Sequence, residues 1–389
     1  MTAPPQPTSP TIEQHPSPAR RLRRALATAG LVALVAAAAA GCAALDEQQR
    51  RWIFQPSDRA WAGGLAAAQG MLDVWIEFDP GRPEAPRSSL VRRTPPAAER
   101  ARSGTGSGAD LSADSGAVSA AEVDHSPAVA FAAHLPTDPQ VTWPSVTASP
   151  ASPAHETVRL HALWLPQADA SAPVLLYLHG ARWDVRGSAH RMRRMHEMGF
   201  AVLGVDYRGF GQSTPALPSE ASAVEDALAA WHWMAAQWPQ QQRYVFGHSL
   251  GGAVAVQLAA RLGAPQASAA AEPSQALAGL IVEGSFTSIP DVYGTLKWGW
   301  LPLQPLITQR FDAARHMAEV KAPVLVVHGS EDSLISPALG RALFDRAPHP
   351  KRFVLVQGGS HHNTNAVGQA QVRAALVDLF GLAGGTVRH

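Results

Sequence analysis

The chain of 389 residues contains one cysteine, little excess charge and no apolar run of great length. Because Cys42 has no second cysteine to pair with, an internal disulfide is excluded. The net charge is only +1, and there is no basic stripe with interleaved aromatic residues, so nothing in the sequence indicates a nucleic-acid partner. The most apolar stretch, residues 25–40, is shorter than the roughly 20 residues that a stable membrane span requires.

Residues 1–42 have the order of a signal peptide. A proline-rich lead and the basic stretch Arg20–Arg24 precede the apolar residues 25–40, which end at Gly41 and Cys42. This end resembles the lipobox of bacterial lipoproteins. The resemblance implies cleavage before Cys42, lipidation of Cys42, and a protein that is exported and anchored to the cell-envelope membrane, on its periplasmic or outer face. The alternative is an uncleaved single anchor helix.

Composition divides the remaining chain. We expect residues 43–72 to be a tether and N-terminal extension, and residues 73–382 to form the folded domain. The stretch at about 80–153 is rich in proline, alanine, serine and glycine. This composition predicts a disordered insertion between two antiparallel strands. A tryptophan-rich segment at about 286–318 predicts a short lid, with an ordinary crossover helix as the alternative.

Short apolar runs alternate with helical patterns from residue 174 onwards. Val174–Leu178 and Ala201–Val205 are examples of runs that carry apolar side chains at nearly every position. Strands of this kind are buried on both faces, so the pattern predicts a mostly parallel sheet covered by helices on both sides.

The most informative stretch is Gly247-His248-Ser249-Leu250-Gly251. It lies between the strand-like Tyr244-Val245-Phe246 and a helical run of small residues that begins at Ala253. A serine in a tight strand-to-helix turn needs glycines beside it, because other side chains would collide with the strand and the helix. The context therefore predicts a nucleophilic serine at position 249.

Further motifs follow the same strand ends. They are His179-Gly180, residues 206–213, His328-Gly329-Ser330-Glu331-Asp332 and Gly359-Ser360-His361. Together they resemble the α/β-hydrolase superfamily, and within it the serine hydrolases of the serine-aminopeptidase-like and monoacylglycerol-lipase-like group. The resemblance implies an α/β-hydrolase fold with a mostly parallel sheet of the eight-stranded type, helices on both faces and a short lid.

A serine nucleophile needs a base and an acid, in the chain order Ser, Asp, His. We expect Asp332 to be the acid, with Glu283 as the runner-up. We expect His361 to be the base, with His362 as the alternative. The oxyanion hole is expected to use the N–H groups of Leu250 and Ala181, with Arg182 possible in place of Ala181. Asp206 and Arg208 are interpreted as structural.

These residues predict a membrane-anchored serine hydrolase that cleaves carboxylic esters, such as acyl esters or acylglycerols, through an acyl-enzyme. Its partners would be a small acyl ester and the membrane that holds the N-terminal lipid. No cofactor is expected, and no metal, because a third ligand at suitable spacing is absent beside His361 and His362. The alternatives are a serine peptidase and a non-catalytic binding lipoprotein with the same fold.

Overall fold

The computed structural model describes residues 18–59, 62–91, 157–264 and 276–382. The chain divides into two compact units, Met1–Gln48 and Gln49–His389. The described residues of the first unit belong to helix α1 (Pro18–Phe54), whose last residues, from Gln49, lie in the second unit. Among the described residues, no helix combines the length and the apolar character needed to cross a membrane.

The second unit is built on one nine-stranded sheet. Its strands are β1 (Leu72–Phe78), β2 (Arg87–Val91), β3 (Val158–Leu165), β4 (Val174–Leu178), β5 (Ala201–Val205), β6 (Arg243–His248), β7 (Leu277–Glu283), β8 (Val324–Gly329) and β9 (Lys351–Val356). Their order across the sheet is β2-β1-β3-β5-β4-β6-β7-β8-β9. Strands β1 to β3 pair antiparallel and β3 pairs antiparallel with β5, whereas β5, β4 and β6 to β9 are parallel. This is the α/β-hydrolase fold.

The helices of the second unit pack on both faces of this sheet. They are α2 (Ala62–Ala67), α3 (Ala189–Glu197), α4 (Glu220–Gln237), α5 (Leu250–Gly263), α6 (Ile289–Thr295), α7 (Ala313–Met317), α8 (Pro337–Arg346), α9 (Thr364–Val367) and α10 (Gln369–Phe380). Strand β4 shows why each strand is apolar throughout. Val174, Leu176 and Leu178 point into one core cluster, whereas Leu175 and Tyr177 point into the other.

Local signals set several helix ends. Ser219 caps α4 through a reciprocal hydrogen-bond pair with Ser222, as expected from the serine at this position. Helix α10 ends at Gly381, which adopts a left-handed conformation with a φ of 66°. Ser219 thus marks the start of α4, and Gly381 follows the last residue of α10.

Strand β2 lies inside the range predicted to be a disordered insertion, so that prediction is wrong for residues 87–91. These residues are held by pairing with β1, for example Ser89 with Trp75. A polar segment can form a strand when a neighbouring strand supplies its hydrogen bonds, which composition alone does not reveal. The rest of the insertion, including residues 92–153, falls outside the described part of the chain.

The predicted tether is also partly structural. Residues 43–54 are helical, and Phe54 is fully buried against Phe210 and Phe311. The folded unit therefore begins near Gln49 rather than near residue 73.

Candidate active site

Ser249 occupies a sharp turn between β6 and α5. Its φ of 55° and ψ of −124° lie in a region that residues other than glycine rarely adopt. A Cβ at Gly247 would lie 2.6 Å from the Cα of Gly252, and one at Gly251 would lie 2.7 Å from the carbonyl carbon of Leu178. Only glycine fits at either position, so the two glycines allow the turn that presents the serine.

The structure brings three predicted residues into one hydrogen-bonded chain. The Oγ of Ser249 lies 3.0 Å from Nε2 of His361. The other ring nitrogen of His361, Nδ1, lies 2.8 Å from Oδ2 of Asp332. The order of the three groups matches a nucleophile, a base and an orienting acid.

Asp332 is surrounded by donors. Its Oδ1 accepts hydrogen bonds from the N–H groups of Leu334 (3.0 Å) and Ile335 (2.8 Å). Burial alone would raise the pKa of Asp332, but hydrogen bonds from His328 and His361 outweigh burial and hold the pKa well below its ordinary value. Asp332 is therefore a carboxylate and can only accept, so Nδ1 of His361 carries a proton and Nε2 of the neutral ring accepts from the Ser249 hydroxyl.

The structure places the two alternative residues, His362 and Glu283, outside this hydrogen-bonded chain. His362 is exposed, and its ring stands at 88° to the ring of His361. Glu283 is buried at the end of β7, where Oε1 accepts a hydrogen bond from Nε of Arg191 at 2.8 Å. Neither side chain replaces His361 or Asp332 in the hydrogen-bonded chain.

Arg191 and His248 support the loop that carries His361. Arg191 lies on α3 and donates through Nη2 to the carbonyls of His361 (3.1 Å) and His362 (2.9 Å). The carbonyl of His361 also accepts a hydrogen bond from Nε2 of His248 at 3.1 Å. Sequence reasoning missed both residues. Nothing in the pattern distinguishes Arg191 from its neighbours Arg193 and Arg194.

The loop after β4 lies directly beside the serine. A Cβ on Gly180 would come within 3.1 Å of the Ser249 Cβ. In the described part of the chain, neither Ala181 nor Leu250 donates its N–H to a backbone carbonyl, and Leu250 is the first residue of α5. The Arg182 N–H, in contrast, donates to the Phe54 carbonyl at 2.8 Å. This bond favours Ala181 over Arg182 as the second oxyanion donor.

Residues 49–59, which we call the strap, brace this loop from outside. Besides the Phe54–Arg182 bond, the Arg59 carbonyl accepts from the Asp184 N–H (3.3 Å) and the Asp58 carbonyl accepts from Nη2 of Arg186 (2.7 Å). Arg182 itself is held at a φ of 84°. The strap was not recognised from the sequence, because its contacts are more than a hundred residues away in the chain.

Asp206 and Arg208 have the structural surroundings expected for them. Asp206 accepts from the Val185 N–H at 2.6 Å and pairs with Nδ1 of buried His161 at 3.0 Å. The Arg208 guanidinium bonds Glu225 and Asp226 of α4, both at 2.6 Å. In the same described ranges, no group of three or more His, Cys, Asp or Glu side chains is arranged to hold a metal ion.

The fold and this arrangement define a serine hydrolase. The chain belongs to the family described as serine aminopeptidase, S33, whose model matches residues 169–309 and 303–365.

The chain is also similar to two curated proteins. An uncharacterised protein of Mycobacterium tuberculosis is 34% identical over 210 residues, which cover 53% of this chain and 69% of that protein. The lysophosphatidylserine lipase ABHD12 of Danio rerio is 32% identical over 221 residues, which cover 52% of this chain and 54% of the lipase. The chain thus spans about half the length of the lipase.

Among solved structures, Est1E of Butyrivibrio proteoclasticus with bound ferulic acid aligns with a TM-score of 0.46 at 18% sequence identity. The alignment covers 58% of this chain and 96% of that chain.

Proposed function

We propose that the chain is a lipid-anchored serine hydrolase that cleaves carboxylic esters, of the acyl ester or acylglycerol type, through an acyl-enzyme. The observation that carries the proposal is the hydrogen-bonded chain from Ser249 through His361 to Asp332. The name of the Danio rerio relative, a lysophosphatidylserine lipase, supports a lipid ester as the substrate class.

In the first half of the reaction, Ser249 Oγ attacks the ester carbonyl carbon while Nε2 of His361 takes the hydroxyl proton. The N–H groups of Leu250 and Ala181 donate to the oxyanion that forms. Asp332 stabilises the imidazolium ion and keeps its orientation. The imidazolium then gives its proton to the leaving alkoxide, so that the alcohol departs and the acyl group remains on Ser249.

In the second half, water attacks the acyl-enzyme while His361 takes a proton from it. The oxyanion forms in the same place and collapses as His361 returns the proton to Ser249 Oγ, which releases the carboxylic acid and the free serine. Both halves need His361 to alternate between its neutral and its charged form. The carboxylate of Asp332 makes this possible because it stabilises the charged form.

A serine peptidase is the second candidate, because the family is described by an aminopeptidase. An aminopeptidase needs a group to hold the substrate's free amine. Asp332 and Glu283, two carboxylates close to His361, are both buried and engaged with His361 or Arg191, so neither is free to hold an amine. This arrangement favours an ester without a free amine.

The anchor part of the proposal rests on the N-terminal sequence. The basic residues 20–24, the apolar residues 25–40 and Cys42 have the order of a lipoprotein signal, and Cys42 is exposed. Export and attachment of lipid at Cys42 would hold the enzyme at the membrane of the cell envelope.

A fluorophosphonate probe tests the enzyme proposal. We expect the probe to label the folded protein, and Ser249→Ala to abolish labelling and hydrolysis of short-chain esters. Ser171→Ala, which changes a serine on an exposed turn, is the matched control and should label as the wild type does. Folded protein that is not labelled would instead support a non-catalytic binder. A higher kcat/KM on aminopeptide substrates than on acyl esters would support the peptidase.

A further inference from the structure

The lid segment, residues 286–318, presents a group of large apolar side chains to solvent. The exposed fractions are 73% for Trp300, 51% for Trp298, 53% for Leu306 and 44% for Leu303. We call these four residues the lid surface. Single exposed apolar residues are common, but four within nine consecutive positions are typical of an interaction surface.

The turn that presents the two indoles is held by hydrogen bonds. The Tyr293 hydroxyl donates to the Trp298 carbonyl at 3.0 Å, and the Leu301 N–H donates to the same carbonyl at 3.0 Å. Gly299 packs so closely that a Cβ there would lie 2.6 Å from the carbonyl oxygen of Gly294. The outward position of Trp298 and Trp300 therefore follows from a built turn.

The base of the lid segment is fixed as well. The Ile289 N–H donates to the Arg310 carbonyl at 2.8 Å, and the Ala314 N–H donates to the Thr287 carbonyl at 2.9 Å. These two bonds join the outgoing and returning halves of the segment. The lid surface thus stands on a closed loop that follows β7.

The stretch of chain that carries the lid surface contains basic residues only. Residues 296–310 include Lys297 and Arg310 and no acidic residue. The Lys297 ammonium lies 5.8 Å from the centroid of the Trp298 ring. Indole rings favour the boundary between lipid headgroups and acyl chains, and basic side chains add attraction to anionic headgroups. Two exposed indoles with a lysine beside them therefore fit the surface of an anionic bilayer.

The chain enters the folded unit beside this segment. Gln49 donates through Nε2 to the Leu306 carbonyl at 2.7 Å, and its Oε1 accepts from the Thr308 N–H at 2.8 Å. Cys42 lies seven positions before Gln49, a length of chain that reaches about 25 Å at most. If Cys42 carries the lipid, as the proposed function states, Gln49 and the lid segment to which it is bonded stay near the membrane.

We propose that the lid surface is a membrane-binding surface, in which Trp298, Trp300, Leu303 and Leu306 enter the headgroup boundary of a bilayer that contains anionic lipid. The nearness of the lid surface to the lipid anchor rests on the proposed function. The exposure of the four side chains and the basic residues beside them in the sequence do not rest on it.

The test uses the full chain carrying Cys42→Ser, so that no attached lipid contributes to binding. Its partitioning is measured on phosphatidylcholine vesicles with and without phosphatidylglycerol. The double variant Trp298→Ser/Trp300→Ser should bind about a hundredfold more weakly, or about tenfold for each indole, the order expected for partly burying an aromatic side chain. Lys297→Gln should weaken binding several-fold only when phosphatidylglycerol is present, and less so at high salt.

Leu355→Ser is the matched control, because Leu355 is an exposed apolar residue on β9 with an exposed fraction of 40%. It should bind vesicles as the parent does. Hydrolysis of a short water-soluble ester should be the same in all lid variants. Vesicle binding combined with an inactive parent would contradict the proposed function and leave the lid surface supported.

Three results would overturn the proposal. One is vesicle binding by the double variant that equals that of the parent or of Leu355→Ser. The second is a double variant that binds vesicles as the parent does but has lost a concentration-dependent dimer that the parent forms in sedimentation. This result would assign the lid surface to contact with a second copy of the chain. Loss of soluble-ester hydrolysis along with vesicle binding would also overturn it, because the tryptophans would then support the fold of the site.

Discussion

At the scale of single residues, the chemistry depends on which imidazole reaches the serine. Two adjacent histidines end the same loop, but only His361 lies between Ser249 Oγ and Asp332 Oδ2. His362 is exposed and turned almost perpendicular to it. The backbone of the loop, held by Arg191 and His248 through the His361 carbonyl, decides between them.

We therefore predict that His361→Ala lowers kcat on a soluble ester by about a thousandfold or more, because it removes the base from a unit that acts together. His362→Ala, the matched control, should change kcat by less than about threefold. Steady-state kinetics with active-site titration measure both. A larger loss in His362→Ala than in His361→Ala would exchange their roles.

His248 gives the folded protein a measurable dependence on pH. Burial, followed by the charge of Arg191, holds the pKa of His248 well below its ordinary value of 6.5. Above pH 6.5 the ring is neutral in both the folded and the unfolded chain, so His248 adds no slope. Below pH 6.5 the unfolded chain takes up a proton that the folded chain does not, so the free energy of unfolding falls as pH falls.

We predict that the wild type loses up to about 1.4 kcal/mol of stability per pH unit below pH 6.5 relative to His248→Gln. Glutamine can still donate to the His361 carbonyl, and subtracting the two curves cancels other titrating groups, including His161. Urea unfolding at a series of pH values measures the difference. Parallel curves between about pH 5 and pH 6.5 would contradict the expected shift of the His248 pKa.

At the scale of elements, the strap holds the loop after β4, which carries Ala181 and Arg182. The Phe54 carbonyl occupies the Arg182 N–H, and the Phe54 ring packs against Phe210 and Phe311. The carbonyl belongs to the main chain, but the Phe54 side chain, which is fully buried, fixes its position. We therefore expect the strap to act on the site through the position of the Ala181 N–H, the proposed oxyanion donor.

We predict that Phe54→Ala lowers kcat about tenfold and weakens a trifluoromethyl ketone inhibitor by a similar factor, with little change in KM, because the oxyanion donor moves. Ile53→Ala is the matched control, since Ile53 is also buried in the same cluster. Both variants should lose about 2–5 kcal/mol of stability. Equal kcat values per titrated site in the two variants would show that the strap only stabilises the fold.

The elements differ in how far their sequence predicts them. Strands such as Val174–Leu178 are apolar at every position, so they were predicted with the correct type and nearly the correct bounds. The motifs at strand ends likewise located Ser249, Asp332 and His361, because the parallel order of the sheet places those ends along one edge. Strand β2 and the strap were missed, since both depend on partners far away in the chain.

At the scale of the whole molecule, the proposed N-terminal signal would decide where the enzyme works. We predict that Cys42→Ser abolishes incorporation of an alkyne-labelled fatty acid and leaves the N-terminal segment uncleaved, whereas activity on a soluble ester is retained because the site lies in residues 49–382. Metabolic labelling and the mass of the purified chain measure the two effects. An unlabelled wild type with an intact N-terminus would favour the uncleaved anchor helix.

The end of β7 lies beside Ser249, His361 and Asp332, and a different group of this strand end is near each of them. The Glu283 carbonyl accepts from the Ser249 N–H at 2.9 Å, and the Glu283 side chain holds Arg191 and through it the His361 loop. A Cβ on Gly284 would stand 3.5 Å from Nδ1 of His361 and 3.6 Å from Oδ2 of Asp332. If this strand shifts within the sheet, we expect Ser249, His361 and Asp332 to shift with it, so that the distances between the three side chains change little.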